Sequence, residues 1–347
     1  MPTIEQTPCT NHGNFSHPSP AIYGRFVKRC GNCGRLLDEH NELVDEVGWQ
    51  VAYFFVIVIS MSSNVKTAVI ISGGGMLTAY NAGVISELRK YIQPDLIIAG
   101  SGGSALAAFY ASGQLNDQIE KDAWTKYLAT RKMIHPWRFL RIFDTDYLID
   151  VIKHKLPLDV ERIRTSHINL EITALSEKTG EIVYFNKHHN IFDVIQASHA
   201  VPVMAKSINI DGEYYVDSFA SSHVYNHIER AFEVYGMDKV LVVNCIPFVG
   251  RYLSLEFWLY RLFRSLGFYR NLKSDMDRLR FNHKRFKQGL TASNDILFIE
   301  PSRDTRITPF TVNPRGLWRA FKIGKYDAES LKEHIQEFLE RQVSTTA

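Results

Sequence analysis

Two short apolar runs, each followed at once by a glycine-rich turn and a helical pattern, constrain the fold more than any other feature of this sequence. Residues 67–72 (TAVIIS) precede three glycines, and residues 79–91 show helical apolar spacing. Residues 96–99 precede the turn GSGG, and residues 105–112 again show a helical pattern. Apolar strands that alternate with helices are typical of a parallel sheet covered on both faces. We therefore predict an α/β domain.

The same alternation continues to about residue 340. We expect further strands at residues 169–174, 182–185, 240–244 and 296–299, and helices at residues 191–198 and 328–339. A chain of 347 residues, 45% of them apolar, is long enough for one large core and a small additional module. We divide it into a small polar module (1–45), an apolar segment and linker (46–64) and the main domain (65–340).

The polar N-terminal module carries a pattern that is typical of a structural zinc site. Its two matching turns are PCTNHG and RCGNCG, which offer three thiolates and one imidazole. The predicted ligands are Cys9, His12, Cys30 and Cys33. Four such ligands complete a tetrahedral zinc site and leave no position open for catalysis. His17 or His40 could replace His12, and a redox Cys-x-x-Cys pair or chance is the alternative. The turns resemble zinc-ribbon knuckles, and we predict structural zinc and no cofactor for catalysis.

The longest apolar run, residues 49–61 (WQVAYFFVIVISM), is shorter than the roughly 20 residues of a membrane-spanning helix. Its β-branched and aromatic residues suit a buried strand, so we favour a packed or interfacial segment over a membrane anchor. Because the polar N-terminus shows no signal peptide, we expect a cytoplasmic protein, with peripheral membrane contact as an alternative. Met61 is a plausible alternative start. The net charge of +3 predicts no nucleic-acid partner.

The first glycine turn, in SGGGMLTAYNAGV (residues 72–84), could bind either a phosphate or an oxyanion. A dinucleotide site would need glycine where Thr78 stands and an acidic residue after the next strand, and the sequence offers neither. The consecutive amides of Gly73, Gly74 and Gly75 could instead stabilise the negative oxygen of a tetrahedral intermediate. We predict an oxyanion hole at these three glycines.

The order of these motifs resembles the patatin-like phospholipases. In that family a GGGxRG oxyanion loop precedes a GxSxG nucleophile turn, and a distant Asp-Gly turn supplies the aspartate of a Ser–Asp dyad. The matches here are SGGG, AY-AGV, ALAA after the second turn, AS-A-P at residues 197–202, the hairpin INIDGEYYVD that leads to Asp217, and IGKYDA at residues 323–328. The resemblance covers about residues 65–340. It implies a three-layer patatin-like fold with a mainly parallel central sheet, and a lipid or lipid ester as ligand.

The second turn departs from the family pattern. Aligned on Gly100-Ser-Gly-Gly-Ser, the pattern places Gly102 in the nucleophile position and Ser104 in that of the second glycine. Because glycine has no side chain, it cannot form an acyl-enzyme. We therefore expect a catalytically impaired, lipid-binding pseudoenzyme. The alternative is an active phospholipase or esterase in which a displaced serine, Ser101 or Ser104, works with Asp217.

Other nucleophiles and bases are weaker candidates. A Ser–His–Asp triad would need His199, His223 or His227 beside a serine. We expect His199 to have a polar core or surface role. We expect Ser104 to hydrogen-bond a free amide in the first turn of its helix. Cys245, which follows a strand, is expected to be a buried small residue.

Residues 251–287 form a basic, aromatic-rich segment. It contains ten Lys or Arg residues, the first Arg251 and the last Lys287, against three Asp or Glu. One interpretation is an amphipathic helix that docks on anionic headgroups of a membrane surface. The other is a solvated helix pair that covers the sheet. The segment lacks a groove-reading motif, so nucleic-acid binding is the weakest interpretation.

Overall fold

The computed structural model describes residues 65–135, 137–138, 141–202, 204–218, 224–246 and 295–341, with three short strands before them. The chain divides into two compact units, residues 1–64 and 65–347. In the first, β1 (Phe15–Pro18), β2 (Lys28–Cys30) and β3 (Leu36–Leu37) form an antiparallel sheet in that order. Of the predicted zinc ligands, Cys30 lies on β2. Cys9, His12 and Cys33 lie outside the described residues, so zinc stays a prediction, and metal analysis of untagged protein would test it.

The second unit is built on an eight-stranded sheet with the order β11-β10-β4-β5-β6-β9-β8, in which β7 also pairs with β6. The strands are β4 (Thr67–Ile71), β5 (Leu96–Gly100), β6 (Asn169–Ser176), β7 (Ile182–Asn186), β8 (Ile208–Ile210), β9 (Glu213–Val216), β10 (Lys239–Val243) and β11 (Ile296–Ile299). The strands from β11 to β6 are parallel, whereas β7, β8 and β9 pair antiparallel. The predicted mainly parallel sheet is therefore a mixed sheet, with its antiparallel strands at one edge.

Nine α-helices are described in this unit: α1 (Thr78–Leu88), α2 (Gly102–Ala111), α3 (Asp117–Asp122), α4 (Thr145–Asp150), α5 (Val160–Thr165), α6 (Ile191–Ser198), α7 (Val224–Glu233), α8 (Pro314–Ser330) and α9 (Lys332–Glu340). Alternate residues of β4 face opposite sides of the sheet. Val69 and Ile71 pack into the larger core with α1 and α2, whereas Ala68 and Ile70 pack towards α7. The sheet is thus covered by helices on both faces, as predicted.

Helices α1 and α8 approach closely through a pair of glycines. A Cβ at Gly83 would lie 1.9 Å from the carbonyl oxygen of Phe321, and a Cβ at Gly324 would lie 2.1 Å from that of Tyr80. Any side chain at either position would force the helices apart. Helix α8 therefore supports α1, the helix that follows the first glycine turn.

Among the described residues, no helix is both long and apolar enough to cross a membrane. Residues 49–61 and 251–287, which carried the membrane predictions, lie outside the described residues.

Candidate active site

The second glycine turn places a serine, not a glycine, at its sharpest point. β5 ends at Gly100 and α2 begins at Gly102, so Ser101 alone forms the connection. Ser101 has φ 50° and ψ −135°, a backbone conformation that residues other than glycine rarely adopt. A strained serine between a strand and a helix is the geometry of a nucleophile elbow.

The strained residue of the turn therefore lies one position before Gly102, where the sequence pattern placed the elbow. The observed turn is Ala99-Gly-Ser-Gly-Gly, so Ala99 stands in the place of the first family glycine and Gly103 in that of the second. Gly102 is the first residue of the helix, one residue after the strained serine. The sequence alignment failed because it matched the first glycine of the pattern to Gly100.

Gly102 and Gly103 are required for space. A Cβ at Gly102 would lie 2.8 Å from Thr78 Oγ1 and 2.9 Å from the carbonyl oxygen of Gly75. A Cβ at Gly103 would lie 2.8 Å from the carbonyl oxygen of Ile71. The elbow therefore packs directly against the first glycine turn and the end of β4.

Ser101 and Asp217 meet although they are 116 residues apart. The Ser101 hydroxyl donates a hydrogen bond of 2.5 Å to Asp217 Oδ2. Asp217 follows β9 and is fixed by its amide, which donates to the carbonyl oxygen of Ala200 at 2.9 Å. Both side chains are buried, with Ser101 7% and Asp217 2% exposed. The arrangement can transfer a proton from a nucleophilic hydroxyl to a carboxylate.

Two other serines hold the backbone of the elbow. Ser198 Oγ accepts a hydrogen bond of 2.8 Å from the Ser101 amide. Ser104 Oγ donates to the Ser101 carbonyl oxygen at 2.8 Å, so its partner is a carbonyl and not the free amide predicted from the sequence. Ser198 was missed as a site residue, although the AS-A-P match that contains it was noted.

His199 lines the same site with a neutral ring. Its Nδ1 lies 2.9 Å from the carbonyl oxygen of Ile195 and 3.2 Å from Ser104 Oγ. Since a carbonyl only accepts, Nδ1 carries the proton. Burial lowers the pKa of His199 to about 4, although the hydrogen bond to Ile195 opposes this. His227 lies on α7, where its Nδ1 is 3.1 Å from Tyr184 OH, and His223 lies outside the described residues.

Hydrogen bonds from Asn81 and Cys245 hold the start of the first glycine turn in place. Asn81 Nδ2 donates to the Ser72 carbonyl oxygen at 2.8 Å, and the Cys245 amide donates to Ser72 Oγ at 3.1 Å. Cys245 Sγ donates to the Gly73 carbonyl oxygen at 3.0 Å. Cys245 is buried, as predicted, and it also supports the turn.

The amides of the first glycine turn are available to a ligand. No described residue accepts a hydrogen bond from the amides of Gly73, Gly74 or Gly75, whereas the next amide, that of Met76, donates to Pro309. Gly74 and Gly75 have φ values of 142° and 56°, which explains why both are glycine. Because the turn contacts Gly102, these donors lie close to the elbow.

A largely apolar cavity of about 90 Å³ opens onto the elbow. Its wall includes Ser101, Gly75, Gly102 and His199, and otherwise consists mostly of apolar side chains such as Leu106, Phe109, Trp124, Leu148 and Ile152. Glu120 is the charged exception, and burial raises the pKa of its carboxyl group. Such a cavity can hold a hydrocarbon chain beside the Ser101 hydroxyl.

The described residues include no group of three or more His, Cys, Asp or Glu side chains placed to hold a metal ion.

Comparison with known proteins agrees with the domain predicted from the motifs. Residues 69–223 match the family model described as patatin-like phospholipase, so a patatin-like phospholipase domain covers this part of the chain. The match includes the first glycine turn, Ser101 and Asp217.

Similar solved structures include VipD from Legionella pneumophila, with 12% identity, a TM-score of 0.44, and coverage of 95% of this chain and 72% of VipD. The type III effector protein ExoU has 13% identity and a TM-score of 0.35, with coverage of 91% of this chain and 57% of ExoU. The ExoU–SpcU complex of Pseudomonas aeruginosa has 12% identity and a TM-score of 0.34, with coverage of 98% and 61%. The roles proposed below rest on this chain's own residues.

Proposed function

We propose that this chain hydrolyses an ester bond of a lipid, with Ser101 as nucleophile and Asp217 as general base. The observation that carries the proposal is the hydrogen bond of 2.5 Å from Ser101 Oγ to Asp217 Oδ2 at a strained turn. The patatin-like phospholipase domain at residues 69–223 supports a lipid substrate. Of the two hypotheses from the sequence, we therefore prefer the active enzyme that uses Ser101 over the pseudoenzyme.

The reaction needs only these two side chains and backbone donors. Asp217 accepts the Ser101 proton as Oγ attacks the ester carbonyl carbon. The resulting oxyanion accepts hydrogen bonds from the amides of the first glycine turn and of Gly102. Collapse of the intermediate expels the alcohol, which takes the proton from Asp217. Water, activated by the same carboxylate, then releases the fatty acid from Ser101.

His199 is not the base in this scheme. A ring with a pKa of about 4 is a weak proton acceptor at neutral pH, and its Nδ1 donates to Ile195. The hydroxyl proton of Ser101 is already directed at Asp217. The chemistry is therefore that of a Ser–Asp dyad.

The apolar cavity is the proposed acyl site. Each buried methylene group contributes about 0.8 kcal/mol, so a long chain would bind in preference to a short one. Zinc has no part in this reaction, and contact of residues 251–287 with a membrane stays a prediction.

Initial rates on a phospholipid and on a short-chain ester test the proposal. Ser101→Ala and Asp217→Asn should each lower kcat by roughly a thousandfold or more, because each removes one half of the dyad. Asp211→Asn is the matched control. This residue lies in the tight turn between β8 and β9 with φ 50°, which asparagine also tolerates. A folded natural chain without turnover, or one whose turnover survives Ser101→Ala, would contradict the proposal.

A further inference from the structure

A loop beside the acyl cavity, here called the rim loop, comprises the described residues 134–135, 137–138 and 141–143. Ile134 and Phe143 close it in an antiparallel bridge, and the His135 amide donates to the Ile142 carbonyl oxygen at 2.9 Å. Phe143 and Met133, which precedes the loop, both line the cavity. The base of the rim loop therefore forms part of the cavity wall.

The rim loop presents a tryptophan to solvent. Trp137 is 90% exposed, whereas Trp124 on the cavity wall is 7% exposed. A second aromatic residue, Phe310, is 36% exposed, and its ring lies 5.4 Å from that of Phe143. Phe310 therefore lies against a residue of the cavity wall, and Trp137 lies in the loop that Phe143 closes. Tryptophan at such a surface is typical of proteins that contact the interfacial region of a membrane.

The charges around the rim loop are mainly positive. Residues 131–146 contain four Arg or Lys and two Asp. Arg138 pairs with Asp144 at 3.0 Å, and Arg141 contacts Asp146 at 3.4 Å. The other two cations, Arg131 and Lys132, are exposed and form no ion pair with any described residue. Both are available to bind acidic headgroups.

We propose that the rim loop docks this protein on an anionic lipid surface. Trp137 and Phe310 enter the headgroup region while Arg131 and Lys132 contact acidic lipids. Docking places the cavity wall at the membrane, so that an acyl chain can pass from the bilayer to Ser101 without crossing water. The delivery of an acyl chain to Ser101 rests on the proposed lipid hydrolysis. Binding of the rim loop to a lipid surface can be measured without catalysis.

Sedimentation with lipid vesicles tests the binding step in the full chain carrying Ser101→Ala, which removes turnover. The vesicles are phosphatidylcholine alone or phosphatidylcholine with phosphatidylserine. Trp137→Ala should weaken binding roughly tenfold or more, because it removes the largest inserted apolar surface. Arg131→Gln with Lys132→Gln should weaken binding about thirtyfold on the anionic vesicles, with little change on the neutral ones. Tyr326→Ala, which removes an aromatic side chain 62% exposed on α8, is the matched control and should bind normally.

Hydrolysis by the chain with Ser101 intact provides the second measurement. The Trp137→Ala variant should hydrolyse a water-soluble short-chain ester at the natural rate. Its rate on vesicle lipid should fall by the same factor as its binding to vesicles. Equal vesicle binding with and without Trp137 overturns the inference, as does an equal loss on both substrates, which would assign the loop to the cavity alone. A natural chain that binds anionic vesicles through Trp137 but hydrolyses no ester refutes the proposed function and leaves the docking surface standing.

Discussion

The two glycine-rich turns look alike in the sequence, but glycine is needed for a different reason in each. In the first, Gly74 and Gly75 adopt positive φ values, so glycine provides the conformation itself. In the second, the residue with positive φ is Ser101, and Gly102 and Gly103 are small because neighbouring backbone lies within 3 Å of their missing Cβ atoms. The first turn thus offers amides that no described residue accepts from, and the second offers the hydroxyl of a serine with a strained backbone. Glycines in a turn can mark either special dihedral angles or lack of space.

Outside the dyad itself, the largest effect should come from Gly102→Ser, the change that would restore activity if Gly102 occupied the nucleophile position. We expect it to lower kcat/KM about a hundredfold or more. Its Cβ would meet Thr78 Oγ1 at 2.8 Å and displace the first glycine turn from the elbow. Ester hydrolysis by purified protein measures this. A gain of turnover would return Gly102 to the nucleophile position and refute the observed register.

The first turn should depend on glycine for its dihedral angles as well as its contacts. Gly75→Ala should lower the free energy of unfolding by roughly 1–3 kcal/mol, because its φ is 56° and its Cβ would meet the Pro309 carbonyl oxygen at 2.8 Å. Gly113→Ala is the control, since Gly113 has φ 65° but nothing within 4 Å of its Cβ position. Urea denaturation of both variants separates the two costs. Equal losses would mean that contact with Pro309 contributes nothing.

The strained serine should depend on its backbone partner. Ser198→Ala leaves the buried Ser101 amide without its acceptor, which costs about 1–3 kcal/mol. We expect kcat to fall roughly tenfold, with KM for a soluble ester nearly unchanged. Ser112→Ala, at the opposite end of α2, removes another buried hydroxyl and should leave kcat unaltered. Matching losses in the two variants would remove the special role of Ser198.

The smallest effect should come from Ser104→Ala. Its hydroxyl and its amide both donate to the Ser101 carbonyl oxygen, at 2.8 and 2.9 Å, so the remaining bond preserves the turn. We expect less than about a threefold change in kcat. Steady-state rates on the short-chain ester measure it. A loss as large as that of Ser101→Ala would make Ser104 the displaced nucleophile.

The sequence predicted the strands near residues 169, 182, 240 and 296 and the helix at residues 191–198, because these elements depend on local apolar patterns. It placed one helix at residues 328–339, where the structure has α8 and α9 with Leu331 between them. It predicted the hairpin of β8 and β9, but not that this hairpin and β7 pair antiparallel with β6, because strand pairing depends on contacts that no local pattern records.

The elbow shows the limit most clearly. Apolar spacing located the strand and the helix, but the choice between Ser101 and Gly102 depends on a positive φ and on contacts with Thr78 and Gly75. Those contacts exist only once the first glycine turn packs against the second. Ser198 was missed for the same reason, because its hydrogen bond to Ser101 joins α6 to the elbow.

Covalent labelling tests the central claim most directly. A fluorophosphonate reacts with an activated serine hydroxyl, and mass spectrometry of the digested protein identifies the modified residue. The account predicts one adduct on Ser101, formed by the natural chain and lost in Asp217→Asn. An adduct on Ser104, or a folded protein that stays unlabelled, would contradict it.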